Sequence, residues 1–416
     1  MVRISTNTFF DTSVNAINQQ QNALYNTQLQ VSSGKQINTP SDNPSGAAQI
    51  INLTQANGMN TQFTTNITSA QNSMSISAGV LQNITTLVQN IQSTTVSANN
   101  SALNNSDRQA LATTLQQQLS QLIGLANSQD GTGNYLFSGT TGSVKPFVVT
   151  SSGVQYQGNT GQQLTQVSTN QSMVTNVNGA DLFMRVKNGN GTFATAAAMA
   201  NTGSGSISAG SMTIPPPTTA QLGNHYTLTF GVTAGVSTYT VSGTDANGVA
   251  LPATSLPPAN QTYTSGQTIS FNGIQFSVQG QPNAGDTFTI NPSTNTPIFQ
   301  TMQNLITLLN SPLPAGNTTA TSAFTQQLQT AEGNLSQGLN AILNGSVTLG
   351  TNLNSLTNLT ATENSLGTQY QATMSQIQDT NYTSALTLLS QEKLSLQAAM
   401  QSFSTISGLS LFNYLR

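Results

Sequence analysis

The sequence predicts an α+β chain: long, paired N- and C-terminal coiled-coil-like helices with an inserted, mainly antiparallel β domain. Apolar residues recur at alternating steps of three and four over long stretches at both ends, the mark of helices that pack along other helices. Between about Ser143 and Asn295 the period changes to two, as in half-buried strands. Charged residues are only 5 % of the 416, against about 25 % in an ordinary soluble domain. Amides and hydroxyls therefore carry the polarity, and charge pairing cannot set helix register.

Residues 13–31 carry Val14, Ile17, Leu24 and Val31 at heptad spacing, with Gln21 and Gln28 in the same row. That is a weakly apolar helix in need of a partner. Gly34 suits its stop. In TPSDNPSG, Pro40 and Pro44 disfavour helix in the residues before them. Pro44 fits a first helical position capped by Asn43 or Asp42. The next helix keeps its row without a slip through Leu53, Ala56, Asn60, Phe63, Ile67, Ala70, Met74, Ser77, Leu81, Ile84, Val88, Ile91, Thr95 and Ala98. At 1.5 Å per residue it is a rod of about 70 Å, covered in part by another helix of the same chain. Ser106-Asp107-Arg108-Gln109 reads as a capping box with Ser106 as the cap. It opens a shorter helix with Leu111, Leu115, Leu119, Leu122 and Ile123 inward, ended by the glycines of DGTGNYLFSGTTG.

In the β region, Tyr226, Leu228, Phe230 and Val232 alternate with small or polar residues. Asn272-Gly273 predicts a two-residue type I′ hairpin that sets Phe271 opposite Ile274 and Ile269 opposite Phe276, all on one face. GDTFTI adds a strand. The Gly/Ser/Ala-rich run Ala194–Gly210 and Pro215-Pro216-Pro217 read as a joint or flexible stretch dividing the region in two. Helical spacing returns with Met302, Leu305, Ile306 and Leu309, stopped by Pro312. It resumes from Phe324 through Leu328, Ala331, Leu335, Ile342, Leu349, Leu353 and Leu356 to Tyr370, Met374 and Ile377. In the last stretch, Tyr382, Ala385, Leu389, Leu396, Ala399, Phe403 and Ile406 form a heptad seam interrupted only by Glu392. An isolated helix of this kind is marginal in water, so both terminal segments are expected to bury their seams between molecules as well as within one. The divisions are 1–40 plus 380–416 (terminal helices, inner domain), 41–142 plus 300–379 (long-helix rod) and 143–299 (β domain facing outward).

A net charge of −3 offers no basic surface for phosphates, so nucleic acid is not an expected partner. No apolar run approaches the ~18 residues of a membrane helix, and no cleavable secretory signal is visible at the start. Cysteine is absent, which removes disulfides and thiol chemistry. The single histidine, His225, lacks the partners of a triad or zinc motif and reads as a surface strand residue. The scattered carboxylates give no metal cluster. Asp245-Ala246-Asn247-Gly248 echoes a calcium loop without its twelfth-position acid and reads as a turn. GDTFTINP lacks the Gly-Lys-Ser/Thr of a phosphate loop. Glu363, inside a helical row, reads as a solvated or interface position rather than a buried one. No catalytic, cofactor-binding or metal-binding residue is therefore assigned, and no enzyme is expected.

SSGKQINTPSDNPSGAAQI resembles the N-terminal signature of the flagellin superfamily, in a form closer to its hook-associated branch than to flagellin itself. GNYLFSGTTGSVKPF, GVQYQGNTGQQLTQVS and GDTFTINP resemble tracts of that branch's β region, and DTNYTSALTLLSQEKLSLQAAMQSFSTISGLSLFNYL resembles its C-terminus. The match is close at both ends and patchy between them; residues 190–220 match nothing in it, and Asn43 stands where the family often carries an acid. The resemblance implies a secreted structural subunit of the bacterial flagellum, exported unfolded through the type III channel. It further implies a ring of like subunits at the hook–filament junction, with the first hook-associated protein, flagellin and an export chaperone as partners. The assembly interface is assigned to Val14, Ile17, Leu24, Val31, Tyr382, Ala385, Leu389, Leu396, Ala399, Phe403, Ile406, Leu411 and Phe412. Two other readings remain open: a flagellin-type filament subunit, and a shaft-displayed adhesin whose Tyr239 and Tyr263 stack on sugars.

Overall fold

The computed structural model describes residues 6–213, 216 and 219–408. Two compact units emerge. The first comprises Met1–Ile67, Gln166–Gln171 and Asn358–Arg416, the second Thr68–Thr165 and Ser172–Thr357. Helices α1 (Thr6–Ser33), α2 (Pro44–Ala98) and α3 (Asn105–Ala126) open the chain. Strands β1 (Phe147–Thr150), β2 (Gly153–Tyr156), β3 (Leu164–Ser168) and β4 (Gln171–Val174) follow, then a π-helical turn, Ala180–Met184. Next come β5 (Phe193–Ala197), β6 (Ser206–Ile207), β7 (Ser211–Met212) and the single turn α4 (Thr219–Leu222). The remaining strands are β8 (His225–Thr233), β9 (Val236–Thr244), β10 (Gln261–Thr262), β11 (Thr268–Phe271), β12 (Ile274–Gln279) and β13 (Thr287–Pro292). Helices α5 (Ile298–Asn310), α6 (Thr318–Gln378) and α7 (Tyr382–Gly408) close it.

The predicted row of α2 is the buried row. From Asn60 to Ala98 every member is buried, and Leu53 and Ala56 are half-buried. Pro44 opens the helix, with Asn43 Oδ1 accepting the Gly46 N–H at 2.9 Å. Asp42 caps the preceding turn. Its carboxylate accepts the N–H groups of Thr39 (2.7 Å) and Asn38 (2.9 Å). Those bonds, Thr39's first, hold its pKa below the ordinary aspartate value. Stability from that turn is therefore present above the ordinary aspartate pKa and lost as pH falls below it.

Two expectations in the helices are corrected. The cap of α3 is Asn104, not Ser106: Asn104 Oδ1 accepts the Asp107 N–H at 3.0 Å and Asp107 Oδ2 accepts the Asn104 N–H at 3.1 Å. A capping box needs a polar residue and an acceptor three apart, and the Asn104/Asp107 pair supplies both ends earlier in the chain than Ser106/Gln109. Glu363 is not solvated but 4 % exposed. In the first unit, Asn60 Nδ2 donates to the Glu363 carbonyl at 2.9 Å and to its Oε2 at 2.5 Å. Gly367 leaves room for this amide, since a Cβ there would lie 2.8 Å from Asn60 Oδ1. The pair fixes the register of α2 against α6 where apolar residues would allow sliding. Asn60→Ala is expected to cost about 1–3 kcal/mol, because it strands a buried carboxylate. The double variant Asn60→Leu/Glu363→Leu should regain part of the loss. Chemical denaturation checks both; equal stability of Asn60→Ala and wild type would refute the role.

In the second unit, α3 packs on α5 through buried Leu115, Leu119 and Leu122 on one side and Phe299, Met302 and Leu305 on the other. Beside them lies an aromatic cluster. Phe183 meets Phe137, Phe147 and Phe299 with centroids 5.8, 5.3 and 5.8 Å apart.

The large β elements form two sheets, β10-β9-β8-β13-β5 and β11-β12-β6, with β7 also on β12. Their inner faces share one core that includes Leu228, Phe230, Phe288, Ile290, Ile274, Phe276 and Val278. The β11–β12 hairpin has the predicted register, Phe271 opposite Ile274 and Ile269 opposite Phe276. Asn272 and Gly273 both adopt positive φ, 47° and 79°, as a type I′ turn requires. The Ala194–Gly210 run is not a joint. It supplies β5 to one sheet and β6 to the other, and its small residues are needed for close approach. A Cβ on Gly203 would lie 2.5 Å from the Asn283 nitrogen. Nearby, buried Asp286 accepts the N–H groups of Thr202 (2.7 Å), Gly203 (2.9 Å) and Asn283 (2.8 Å), locking the run to the start of β13.

Candidate assembly interface

The terminal helices α1 and α7 pack on each other within the first unit. Gly34 ends α1 at φ 74°. A Cβ there would sit 2.9 Å from the Tyr382 hydroxyl, so both conformation and space demand glycine. The turn after α1 is then stitched to the turn before α7. Gln36 N donates to Gln378 O at 2.7 Å and Thr380 N donates to Gly34 O at 2.9 Å. Gln36 Nε2 donates to Ile377 O at 2.8 Å. Asn381 caps α7, its Oδ1 accepting the Ser384 N–H at 3.2 Å. Further along the pair, Phe10 meets Phe403 edge to face at 5.6 Å.

Two helices alone do not bury these seams. Among the described residues of α1 and α7, only Thr27 and Ala385 are buried. Ile17, Leu24, Val31, Leu389, Leu396, Ala399 and Phe403 are half-buried between the helices, while Val14, Tyr382 and Ile406 are exposed. Leu411 and Phe412 lie outside the described residues. The structure adds apolar residues that the heptad reading missed. Tyr25 (65 % exposed), Leu394 (67 %) and Met400 (51 %) face away from the seam, as do Leu29, Leu386 and Leu388. They sit off the single row that heptad counting follows. Only their density on short helices signals a second apolar side.

Charge is sparse here. Asp11 on α1 and Glu392 and Lys393 on α7 are the only charged residues of the two helices. Glu392 occupies the seam, and one of its carboxylate oxygens is shielded without a hydrogen-bond partner. What the pair offers is uncovered apolar area flanked by amides.

Elsewhere, His225 lies exposed on β8 with Nδ1 2.9 Å from Asn291 Oδ1. Asp245 Oδ1 accepts the N–H groups of Asn247 (2.8 Å) and Val249 (2.9 Å), the predicted turn. Tyr263 is buried and donates to main-chain carbonyls of Val278 and Gly280, which removes it as a sugar platform. Among the described residues, no group of three His, Cys, Asp or Glu could hold a metal ion, and no helix is long and apolar enough to cross a membrane.

Residues 4–141 match the family model of the bacterial flagellin N-terminal helical region. The chain is 36 % identical over 182 residues to flagellar hook-associated protein 3 of Salmonella typhimurium, a match covering 44 % of this chain and 57 % of that protein. Its Escherichia coli counterpart gives 35 % over 182 residues with the same coverages, 44 % and 57 %. The matched stretch thus spans less than two thirds of these relatives. Among solved structures, hook-associated protein 3 of Legionella pneumophila superposes with a TM-score of 0.72 at 30 % identity, covering 79 % of this chain and 98 % of that one. The FlgL protein of Xanthomonas campestris gives 0.67 at 26 % identity, covering 77 % and 99 %.

Proposed function

The chain belongs to the hook-associated protein 3 family of the flagellin superfamily, and from that premise we propose that it is a non-enzymatic structural subunit joining the flagellar hook to the filament. The observation that supports this most directly is the half-covered α1–α7 pair. Its apolar sides match a subunit whose terminal helices are completed by neighbours. In this reading residues 1–40 and 380–416 form the inner axial domain, with the assigned interface residues from Val14 to Phe412 facing like subunits in a ring. The first hook-associated protein lies on one side of the ring and flagellin on the other. An export chaperone would hold the same uncovered helices before secretion, since absent cysteine and low charge suit passage as an unfolded chain.

Deletion of the gene is expected to leave hooks without filaments and flagellin monomer in the medium, seen by electron microscopy and immunoblotting. Filaments of normal length in that strain would overturn the proposal. Loss of the filament with no secreted monomer would point instead to a filament subunit. In purified monomer, limited proteolysis should trim both ends to a fragment of roughly residues 45–375, because exposed, poorly buried helices open locally. Persistence of intact α1 and α7 in a monodisperse monomer would count against it.

A further inference from the structure

The chain has no cysteine and ten methionines, so thioethers are its only oxidisable sulfur. Burial sorts them. Met74 and Met302 are fully buried, and Met173, Met184 and Met374 are half-buried. Among the described residues Met199, Met400, Met212 and Met59 are exposed, in falling order. Met199 stands in the loop after β5, on the sandwich. Met400 is the one methionine in the described α1 and α7. Its side of α7 is apolar. Leu386 stands two heptads before it and Tyr382 one turn before that, and both are exposed.

A hydroperoxide transfers its terminal oxygen to an accessible Sδ. The O–O bond breaks and an S–O bond forms; the thioether is oxidised to a sulfoxide and the peroxide is reduced to water or an alcohol. A flexible apolar side chain becomes a polar one, and sulfoxide reductases undo the change. At Met199 the new oxygen stays in solvent, since that side chain is fully exposed. At Met400 it puts a strong acceptor on a side of α7 that solvent covers in the single chain. A neighbouring subunit packed there would bury that acceptor without a partner, which is unfavourable. We propose that Met400 is an oxidation site through which peroxide blocks assembly of the free chain while leaving its fold intact. The block rests on the junction role proposed above; the oxidation at Met400 does not.

Purified full-length protein is titrated with hydrogen peroxide and mapped by peptide mass spectrometry. Met199 and Met400 should gain one oxygen at doses that leave Met74 and Met302 unchanged, and urea melts should not move. Added to a flagellin-secreting culture of the deletion strain, treated protein should restore filaments at least about fivefold less well than untreated protein, the low end for burying an unpartnered polar group. Met199→Leu should lose as much on treatment as wild type, whereas Met400→Leu should keep most of its own untreated level. Met400→Gln, expressed in the same strain, carries a polar group without peroxide and should reduce the swimming halo. It decides the matter if untreated protein fails to act from the medium. Met400 still a thioether at a dose that converts Met199 completely overturns the proposal, as does full assembly by the oxidised protein or by Met400→Gln. Any of these results leaves the junction role standing, which fails only if cells lacking the gene grow normal filaments.

Discussion

Leu394→Asp is expected to abolish filament growth while leaving the isolated protein as stable as wild type. Leu394 is 67 % exposed in the chain alone, and a polar substitution at such a position usually changes folding stability by no more than about 0.5 kcal/mol. In an assembled ring the same side chain would be covered, and a buried unpaired carboxylate is strongly unfavourable at every copy of the interface. Phe403→Asp makes the internal comparison. It removes the edge-to-face contact with Phe10, worth about 0.5–1.5 kcal/mol beyond area, and should loosen the α1–α7 pair as well as block assembly. Swimming-halo assays and electron microscopy read the assembly. Urea melts of the purified proteins read the fold, with the β sandwich unaffected in both. Motile cells carrying Leu394→Asp would show that this side of α7 faces solvent in the flagellum and would remove it from the interface.

The second large effect is on stability. Phe183→Ala should cost about 3–5 kcal/mol, the usual range for emptying an aromatic core site. Phe183 is fully buried and touches Phe137, Phe147 and Phe299 at once. These residues come from the loop after α3, from β1 and from α5, so one ring ties the stretch that follows α3 to the chain-distant helix α5. Equilibrium denaturation followed by near-ultraviolet circular dichroism measures the loss. A change below about 1 kcal/mol would mean that the cluster collapses to refill the space. Phe183→Leu, which keeps most of the volume, should recover the greater part of the loss.

Much of this was legible because periodicity reports burial on a single element. The α2 row and the β11–β12 register followed from spacing and turn chemistry alone. What spacing could not report was which polar residues in a row would find partners. Glu363 looks soluble until Asn60, 303 positions away in sequence, is brought against it. The Ala194–Gly210 run looks like a linker because small residues have two uses, freedom and close approach. Only the neighbouring loop before β13, with the Asn283 nitrogen close to where a Cβ would go, tells them apart. Ser106 and Asn104 are both good caps in isolation; the three-residue reach to Asp107 decided between them.

The terminal helices divide the two kinds of information most sharply. Their heptad seams and poverty in charge are written locally, in steps of three and four, because helix formation and facial burial depend on neighbours within a turn or two. So the sequence by itself determined that α1 and α7 exist and need partners, and its motifs pointed to the family. Tertiary structure decided how far that need is met inside one chain. Gly34, Gln36 and Thr380 stitch the helices into a pair, yet two helices enclose only one line of contact. Leu394 and Met400 are left uncovered on α7, since a cylinder packed on a single neighbour keeps most of its surface free.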